Sequence, residues 1–555
     1  MRTDRCAAHV VAAALLVATA GLLAGCNDSL FVQNRSYEPY TAPGKYIPDD
    51  EYYDLQWHYD LIDVPGAWSI MREAGTPGGP PRTPQTVRVA VIDTGIREHE
   101  DLDPGPRVEE WDFFEDDNDA TDDGPYSATA FHGMHVAGTL VAITGNDIGV
   151  AGIGDPDGPA TLEAMPLRAL GAPPGCTSPD CVQGSTDDIA AAILYAVGGD
   201  VSDHSGARPL TGAPAKVINL SLGGVVEDGD IKLYEAVQAA VDAGATVIAA
   251  AGNTLGGTDT TAGGVLAPAR YDNTLAIAAV GPDGDRAPYS NIGPELDFAA
   301  PGGAGSEFVW STSDVDCAVV GSDPRQPCDG AGDNIIDAYT GQQGTSMATP
   351  HVAGVVALLY SYAPELTQDE VYDILLATVD DAGEPGHDKY YGHGIINARA
   401  ALEYLIRATD DYGVAPIGGD GGGADGDGAA GTGNSGSGPM GRPILQREGA
   451  FLPASTANVG IDYDAGSVVL ALWEERLAPD EVAPARRGVA EAVEGVAEIV
   501  GEDPRRLRAR LAPGADHVAV IRDLAARPEV RYAQPNYIYT VPTGVAPVTA
   551  LPAAR

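Results

Sequence analysis

Three stretches place chemically capable residues beside apolar runs. "VAVIDTG" carries Asp93, "FHGMHVAGT" (131–139) carries His132 and His135, and "GTSMATPHVAGVVALL" carries Ser346. A serine hydroxyl is a poor nucleophile at neutral pH. It needs a base within hydrogen-bond reach, and that base needs a buried carboxylate to fix its tautomer and stabilise its cation. Asp93, His132 and Ser346 are the residue types this device requires. Each alone says little. An Asp after a strand is more often a cap, a Ser after Gly-Thr is usually a turn, and histidines three apart share a helix face whatever their task.

The elements around them suit the purpose. "VRVAVID" (87–93), "LEAMPLR" (162–168), "KVINLSL" (216–222), "TVIAAAG" (246–252) and "TLAIAAV" (274–280) read as short buried strands bounded by turn residues. Helical patterns alternate with them, as in "DDIAAAILYAV" (187–197) and "IKLYEAVQAAVDAG" (231–244), where Gly244 is suited to closing the helix. Thr367 and Glu370 form a capping box. Such alternation predicts an α/β fold, a parallel sheet flanked by helices on both faces, with sites beyond the carboxyl ends of the strands.

"DTGI", "HGMHVAG", "AAAGN" (ending at Asn253) and "GTSMATPHVAG" follow one another over more than 250 residues. In these motifs and their order the chain resembles the subtilisin-like serine peptidases, the subtilases, across a catalytic domain at 46–408. The resemblance implies an endopeptidase of broad specificity in which Ser346 attacks, His132 is the base, Asp93 orients it and Asn253 holds the oxyanion. His135 and His351 are then packing residues, and Met134 stands where the family usually has Thr. "NLSLGG" (219–224) corresponds to the strand that pairs with an extended substrate, implying backbone contacts from Ser221, Leu222 and Gly223, with Ala251 and Gly252 lining a pocket wall. A catalytically silent, peptide-binding relative is the alternative.

Calcium is the cofactor the resemblance implies, and no organic cofactor is expected. "NDIGVAG" (146–152) is similar to a subtilase calcium loop, with Asn146, the carbonyls of Ile148 and Val150, and Asp101 as ligands, and Asp50 as an N-terminal contributor. A surface turn with solvated acids is the plain reading of the same residues. "EDDNDATDD" (115–123) reads as a solvated face. The stretch between Asn253 and Ser346 is long for the family, and 303–340 reads as a surface insertion near the groove.

Residues 1–26 read as an export signal: Arg2 and Arg5, an apolar run, then "LLAGC". This ending resembles a bacterial lipobox, with Cys26 lipidated and tethering the mature chain, through residues 27–45, to the membrane of the cell envelope. An ordinary secretory signal or an uncleaved membrane helix is the alternative. Export permits disulfides. Cys176, Cys181, Cys317 and Cys328 allow three pairings, of which the local one, 176–181 with 317–328, is preferred, and their spacing does not suit zinc. A net charge of −48, nearly all of it before residue 440, argues against nucleic acid as a partner. Polypeptides are the expected substrates and a monomer the expected state.

Residues 409–442 form a Gly-rich linker. A small α+β (ferredoxin-like) module is expected at 443–555. "SVVLALW" (467–473) and "VRYAQPNYIY" (530–539) read as its strands, Val489, Val493, Val496 and Val500 as one helix face, and Val518, Ile521, Leu524 and Ala525 as a second helix. "RPEVRYAQPNYIY" (527–539) resembles the end of a subtilase inhibitory prodomain, which usually precedes the catalytic domain. A relocated intramolecular inhibitor is the expectation, and a small adhesion or spacer domain the alternative. The linker reaches roughly 30 Å, and tethering supplies an effective concentration on the order of mM.

Overall fold

The computed structural model describes residues 44–76, 79–102, 109–122, 131–154, 162–172, 182–201, 209–225, 230–254, 264–314, 338–409, 449–450, 463–472, 482–493, 495–500, 507–513, 515–525, 527 and 530–540. Cys26, Cys176, Cys181, Cys317, Cys328 and nearly all of the linker lie outside them.

The main sheet is built from β1 (Val87–Asp93), β2 (Trp111–Asp112), β3 (Leu162–Arg168), β5 (Val217–Leu220), β6 (Thr246–Ala250), β7 (Leu275–Val280) and β8 (Phe298–Pro301). Their order is β2-β3-β1-β5-β6-β7-β8, and every pairing is parallel. β5, β6 and β7 are buried along their whole length, as strands made almost wholly of Val, Ile, Leu and Ala require when both sheet faces are covered; Asn219 and Thr246 are the polar exceptions. A short β4 (Gln183–Ser185) stands apart from this sheet.

The helices of this domain are α1 (Trp57–Leu61), α2 (Val64–Glu73), α3 (His132–Val141), α4 (Thr186–Ala196), α5 (Ile231–Asp242), α6 (Thr345–Tyr362), α7 (Gln368–Thr378) and α8 (Ala398–Thr409). α4 begins with a capping box between Ser185 and Asp188, and α7 with the expected one between Thr367 and Glu370. Such caps are worth about 1 kcal/mol each. Gly244 adopts φ 84° just after α5, the left-handed turn expected of it. β1 lies between β3 and β5, so the winding direction reverses there and its carboxyl end opens onto a crevice.

The segment 303–340 differs from expectation. Its arms form an antiparallel hairpin, β9 (Val309–Ser313) with β10 (Ala338–Gln342), and β9 is buried against α3. Ser311 Oγ donates to the His135 carbonyl at 2.7 Å and Thr312 Oγ1 to the Met134 carbonyl at 2.9 Å. The ends of this stretch therefore belong to the core that supports His132. The reading of a surface insertion missed this, because Val309 and Trp310 are buried and Ser311 and Thr312 place their hydroxyls on carbonyls of α3.

The C-terminal module follows a β-α-β-β-α-β course: β12 (Tyr463–Leu472), α9 (Val482–Ala492), β13 (Ala497–Val500), β14 (Leu507–Leu511), α10 (His517–Ala525) and β15 (Val530–Thr540). Its strand order is β15-β12-β14-β13, all antiparallel, with β11 (Gly449–Ala450) parallel to β15, a ferredoxin-like arrangement. The predicted single valine face at 489–500 is corrected. Val489 and Val493 are buried, but Gly495 turns the chain at φ 86°, Val496 is exposed and Val500 lies in β13. The valine spacing is helical, yet glycine breaks the helix and β-branched residues continue as strand.

β15 leaves its own module. Ile538, Tyr539 and Thr540 pair antiparallel with Ser185, Gly184 and Gln183 of β4. Tyr537 and Tyr539 are buried within the core of the larger domain. Module side chains also take up backbone donors at helix starts that have no partner inside the helix. Asp187 N–H donates to Asn536 Oδ1 at 3.1 Å, and Ile231 N–H to Gln534 Oε1 at 3.1 Å. Ion pairs join Arg508 to Asp187 and Arg531 to Glu235.

Candidate active site

β1 ends on Asp93, which is sealed from solvent. Thr94 N–H donates to Asp93 Oδ1 at 2.7 Å. Thr94 Oγ1 donates to Asp122 Oδ2 at 2.5 Å and accepts from Gly133 N–H at 2.9 Å. This clamp draws the start of α3 onto the end of β1, so closely that a Cβ on Gly133 would overlap the Gly95 carbonyl. Phe131 turns at φ 62°, uncommon for a side-chain-bearing residue, and delivers His132 as the first residue of α3.

His132 Nδ1 lies 2.7 Å from Asp93 Oδ1. An ionised carboxylate only accepts, so Nδ1 carries the proton and Nε2 keeps its lone pair, the form a general base needs. Nε2 is buried and has no hydrogen-bond partner among the described residues.

Ser346 is the second residue of α6 and is 1% exposed. Its Oγ donates to the Ser221 carbonyl at 3.2 Å, while Ser221 Oγ donates to the Ser346 carbonyl at 2.7 Å and accepts from Asn219 Nδ2 at 3.0 Å. The strand bearing "NLSLGG" and the serine helix are thus bonded together. In this rotamer the hydroxyl uses Ser221 O as its acceptor.

Asn253 Oδ1 accepts from both the N–H and the Oγ1 of Thr345, each at 2.9 Å. Thr345 Oγ1 in turn accepts from Gly252 N–H at 3.1 Å. With its oxygen held by two donors, the Asn253 side chain has its amide nitrogen to offer as a donor.

Leu222 and Ala251 are buried, the Ala251 carbonyl accepts from Leu266 N–H at 3.0 Å, and Gly252 turns at φ 102° against Asn291 and Leu266. A Cβ on Gly223 would sit 2.9 Å from the Leu266 side chain. The closest approach of another segment falls one residue further on. A Cβ on Gly224 would come 2.8 Å from the Tyr539 ring and 3.0 Å from the Ile538 carbonyl. β15 therefore runs between β4 and the Gly223-Gly224 strand.

His135 and His351 are fully buried, as the packing role implied. His135 Nε2 faces the Val309 and Thr340 carbonyls, and His351 bridges the Met347 carbonyl and His58 Nδ1. Burial pushes the His135 imidazole down to about 3 and His351 down to about 4, so both stay neutral.

Asp101 Oδ1 accepts from Asn146 Nδ2 and Oδ2 from Val150 N–H, both at 2.9 Å, and Asp50 Oδ2 accepts from Gly145 N–H at 2.8 Å. Burial pushes Asp50 up to about 6 and Asp101 up to about 7, and Asp50 Oδ1 is buried without a partner. Neither acid is paired with a lysine or arginine among the described residues. Two buried carboxylates with an orphaned oxygen fit a hard cation. Asn146 turns its NH₂ to Asp101 and its oxygen to Ile148 N–H, so as a ligand it would rotate. Among the described residues, no group of three or more His, Cys, Asp or Glu is gathered as a cage.

The subtilase family model matches residues 85–394, a span that holds Asp93, His132, Asn253 and Ser346. The chain belongs to the subtilase family. This subtilase is 34% identical to an extracellular protease of Xanthomonas campestris pv. campestris over 65% of this chain and 57% of that one. It is 30% identical to thermitase of Thermoactinomyces vulgaris, over 65% of this chain and all of that one. Among solved structures, a protease of Pseudoalteromonas arctica has 34% identity and a TM-score of 0.50, with 64% of the subtilase and 99% of that chain covered. The subtilase thus spans 57% of the length of its Xanthomonas relative.

Several residues of this subtilase site were not singled out from the sequence. Thr345, Gly184 and Asp230 are the main ones. Gly184 was legible as the glycine before the Ser185–Asp188 capping box; Thr345 and Asp230 become visible only through their partners in space.

Proposed function

We propose that the chain is an exported serine endopeptidase acting on extended polypeptides. The observation that carries this reading is the 2.7 Å contact of His132 Nδ1 with buried Asp93, which leaves Nε2 unprotonated and, among the described residues, without a hydrogen-bond partner. Ser346 Oγ turns from Ser221 O towards His132 when substrate enters and attacks the scissile carbonyl, giving its proton to Nε2. Asp93 stabilises the imidazolium. The oxyanion is held by Asn253 Nδ2 and the Ser346 N–H. Collapse expels the amine, which takes the proton from His132, and water repeats the cycle on the acyl-enzyme. Ser221, Leu222 and Gly223 present backbone to the substrate, and Ala251 and Gly252 line its pocket.

The C-terminal module is an intramolecular inhibitor in this reading. β15 occupies the edge of β4 and passes Gly224, where an extended substrate would lie. Asp50, Asp101, Asn146 and the carbonyls of Ile148 and Val150 would hold Ca²⁺, which supplies charge neutralisation to the two buried acids and takes no part in chemistry. Export follows the signal-like start of the chain and the extracellular protease relative, with Cys26 as the lipidated anchor and disulfides 176–181 and 317–328. No helix among the described residues is long and apolar enough to cross a membrane.

A silent peptide binder is the second reading, favoured by the Ser346 Oγ bond to Ser221 O. Hydrolysis of an unfolded polypeptide separates the two. Cleavage by wild type and none by Ser346→Ala is expected of the enzyme; absence of cleavage by both is expected of the binder.

A further inference from the structure

Asp230 is a fully buried carboxylate outside the catalytic group, placed where α5 begins. Oδ1 accepts from Leu233 N–H at 3.1 Å and from Gln534 Nε2 at 2.7 Å. Oδ2 accepts from Thr186 Oγ1 and, at 2.9 Å, from the phenol of Tyr539. Tyr539 is itself fully buried, pairs through its backbone with Gly184, and lays its ring against Gly224. Tyr271 completes the pocket, its hydroxyl 3.3 Å from the Asp230 carbonyl. Thr186, Tyr271, Gly224 and Asp230 all belong to the larger domain, so the pocket is its own feature, and the module supplies only the occupant.

We propose that this pocket is a specificity site that selects tyrosine over phenylalanine in polypeptide substrates, with Asp230 accepting the phenol. The proposal rests on the groove reading above, and treats Tyr539 as the internal copy of a substrate side chain. When β15 leaves, Asp230 loses two of its four donors, Gln534 and Tyr539. A substrate tyrosine in the same register restores the bond to Oδ2. A phenylalanine fills the same volume but leaves a desolvated carboxylate oxygen with Thr186 alone. A site built around a buried polar group rejects the analogue lacking its partner more strongly than it distinguishes apolar shapes. One hydrogen bond to a charged acceptor corresponds to about tenfold to a hundredfold in kcat/KM. Burial holds the Tyr539 phenol protonated, as a donor to this oxygen must be.

The test uses the full chain and pairs of otherwise identical peptides, carrying Tyr or Phe at one position upstream of the scissile bond, competing in one tube. The ratio of consumption rates equals the ratio of kcat/KM, and it does not depend on what fraction of the enzyme the module blocks. At one upstream position the Tyr peptide is expected to disappear at least about tenfold faster. Asp230→Asn keeps a capping acceptor for α5 and removes the charge, so the ratio is expected to fall towards unity. Equal consumption of Tyr and Phe at every position by wild type, or a ratio unchanged in Asp230→Asn, overturns the proposal while leaving the peptidase standing. Failure to cleave any peptide overturns the peptidase reading, and the specificity site with it.

Discussion

Thr345 donates twice to one atom, Asn253 Oδ1, through its backbone N–H and its hydroxyl, both at 2.9 Å. This fixes the Asn253 amide oxygen as the acceptor for Thr345 and the NH₂ as the donor end of the side chain. Asn253→Ala is expected to lower kcat by about 10²–10³ with little change in KM, since the lost bond forms only as the oxyanion develops. Thr345→Val removes one of the two anchors and is expected to lower kcat in the same sense by a smaller factor. Steady-state kinetics on a soluble peptide substrate checks both, and a rise in KM without loss of kcat would show that Asn253 binds ground-state substrate instead.

Asp93 accepts from Thr94 N–H and faces His132 Nδ1. Asp93→Asn keeps the shape but permits an NH₂ to face Nδ1, which moves the imidazole proton to Nε2. A loss of about 10⁴ in kcat is expected, with the thermal midpoint close to that of wild type. Residual activity above a tenth of wild type would remove Asp93 from the proposed mechanism.

The tail contact is testable within the full chain. Tyr539→Ala deletes the ring beside Gly224 and the bond to Asp230, so the module holds the groove less tightly. Higher basal hydrolysis than wild type is expected, with the maximal rate at saturating substrate unaltered. Unchanged basal hydrolysis, with the variant folded by circular dichroism, counts against inhibition by the module.

Calcium and pH are linked through Asp50 and Asp101. Their carboxyls, pushed up to about 6 and about 7 from an ordinary 3.8, hold protons in the folded chain that the unfolded chain has already released. Without a cation, the contribution of these two groups to stability is therefore full below about pH 4 and is lost as pH rises through about 6 and about 7. Ca²⁺ at a hundredfold excess over its Kd is expected to restore about 2.7 kcal/mol near neutral pH. Thermal unfolding with EDTA and with Ca²⁺, across this pH range, measures the effect. A midpoint insensitive to EDTA would rule the site out.

Local signals carried much of this fold in the sequence. Continuous apolar runs ending in turn residues marked β1, β6 and β7, and Gly244 and Thr367 marked helix ends. Asp93, His132, Asn253 and Ser346 were legible because each sits at an element boundary within a distinctive motif. What stayed hidden depends on distant partners. The strand pair at 309–313 and 338–342 joins the core because Ser311 and Thr312 meet carbonyls of α3, which no local pattern records. Val496 and Val500 kept a helical spacing that Gly495 overrode. Asp230 drew no reading from the sequence; it caps α5 in the structure, and only Tyr539, more than 300 residues later, gives it a second task.

The most direct measurement is the mass of purified protein after reaction with a fluorophosphonate, with the modified residue mapped by peptide sequencing. One adduct on Ser346 is expected in wild type, none in Ser346→Ala, and labelling slowed by about 10³ or more in His132→Ala. A wild-type protein that is folded, freed of its tail and still unlabelled would contradict the joint action of Ser346, His132 and Asp93.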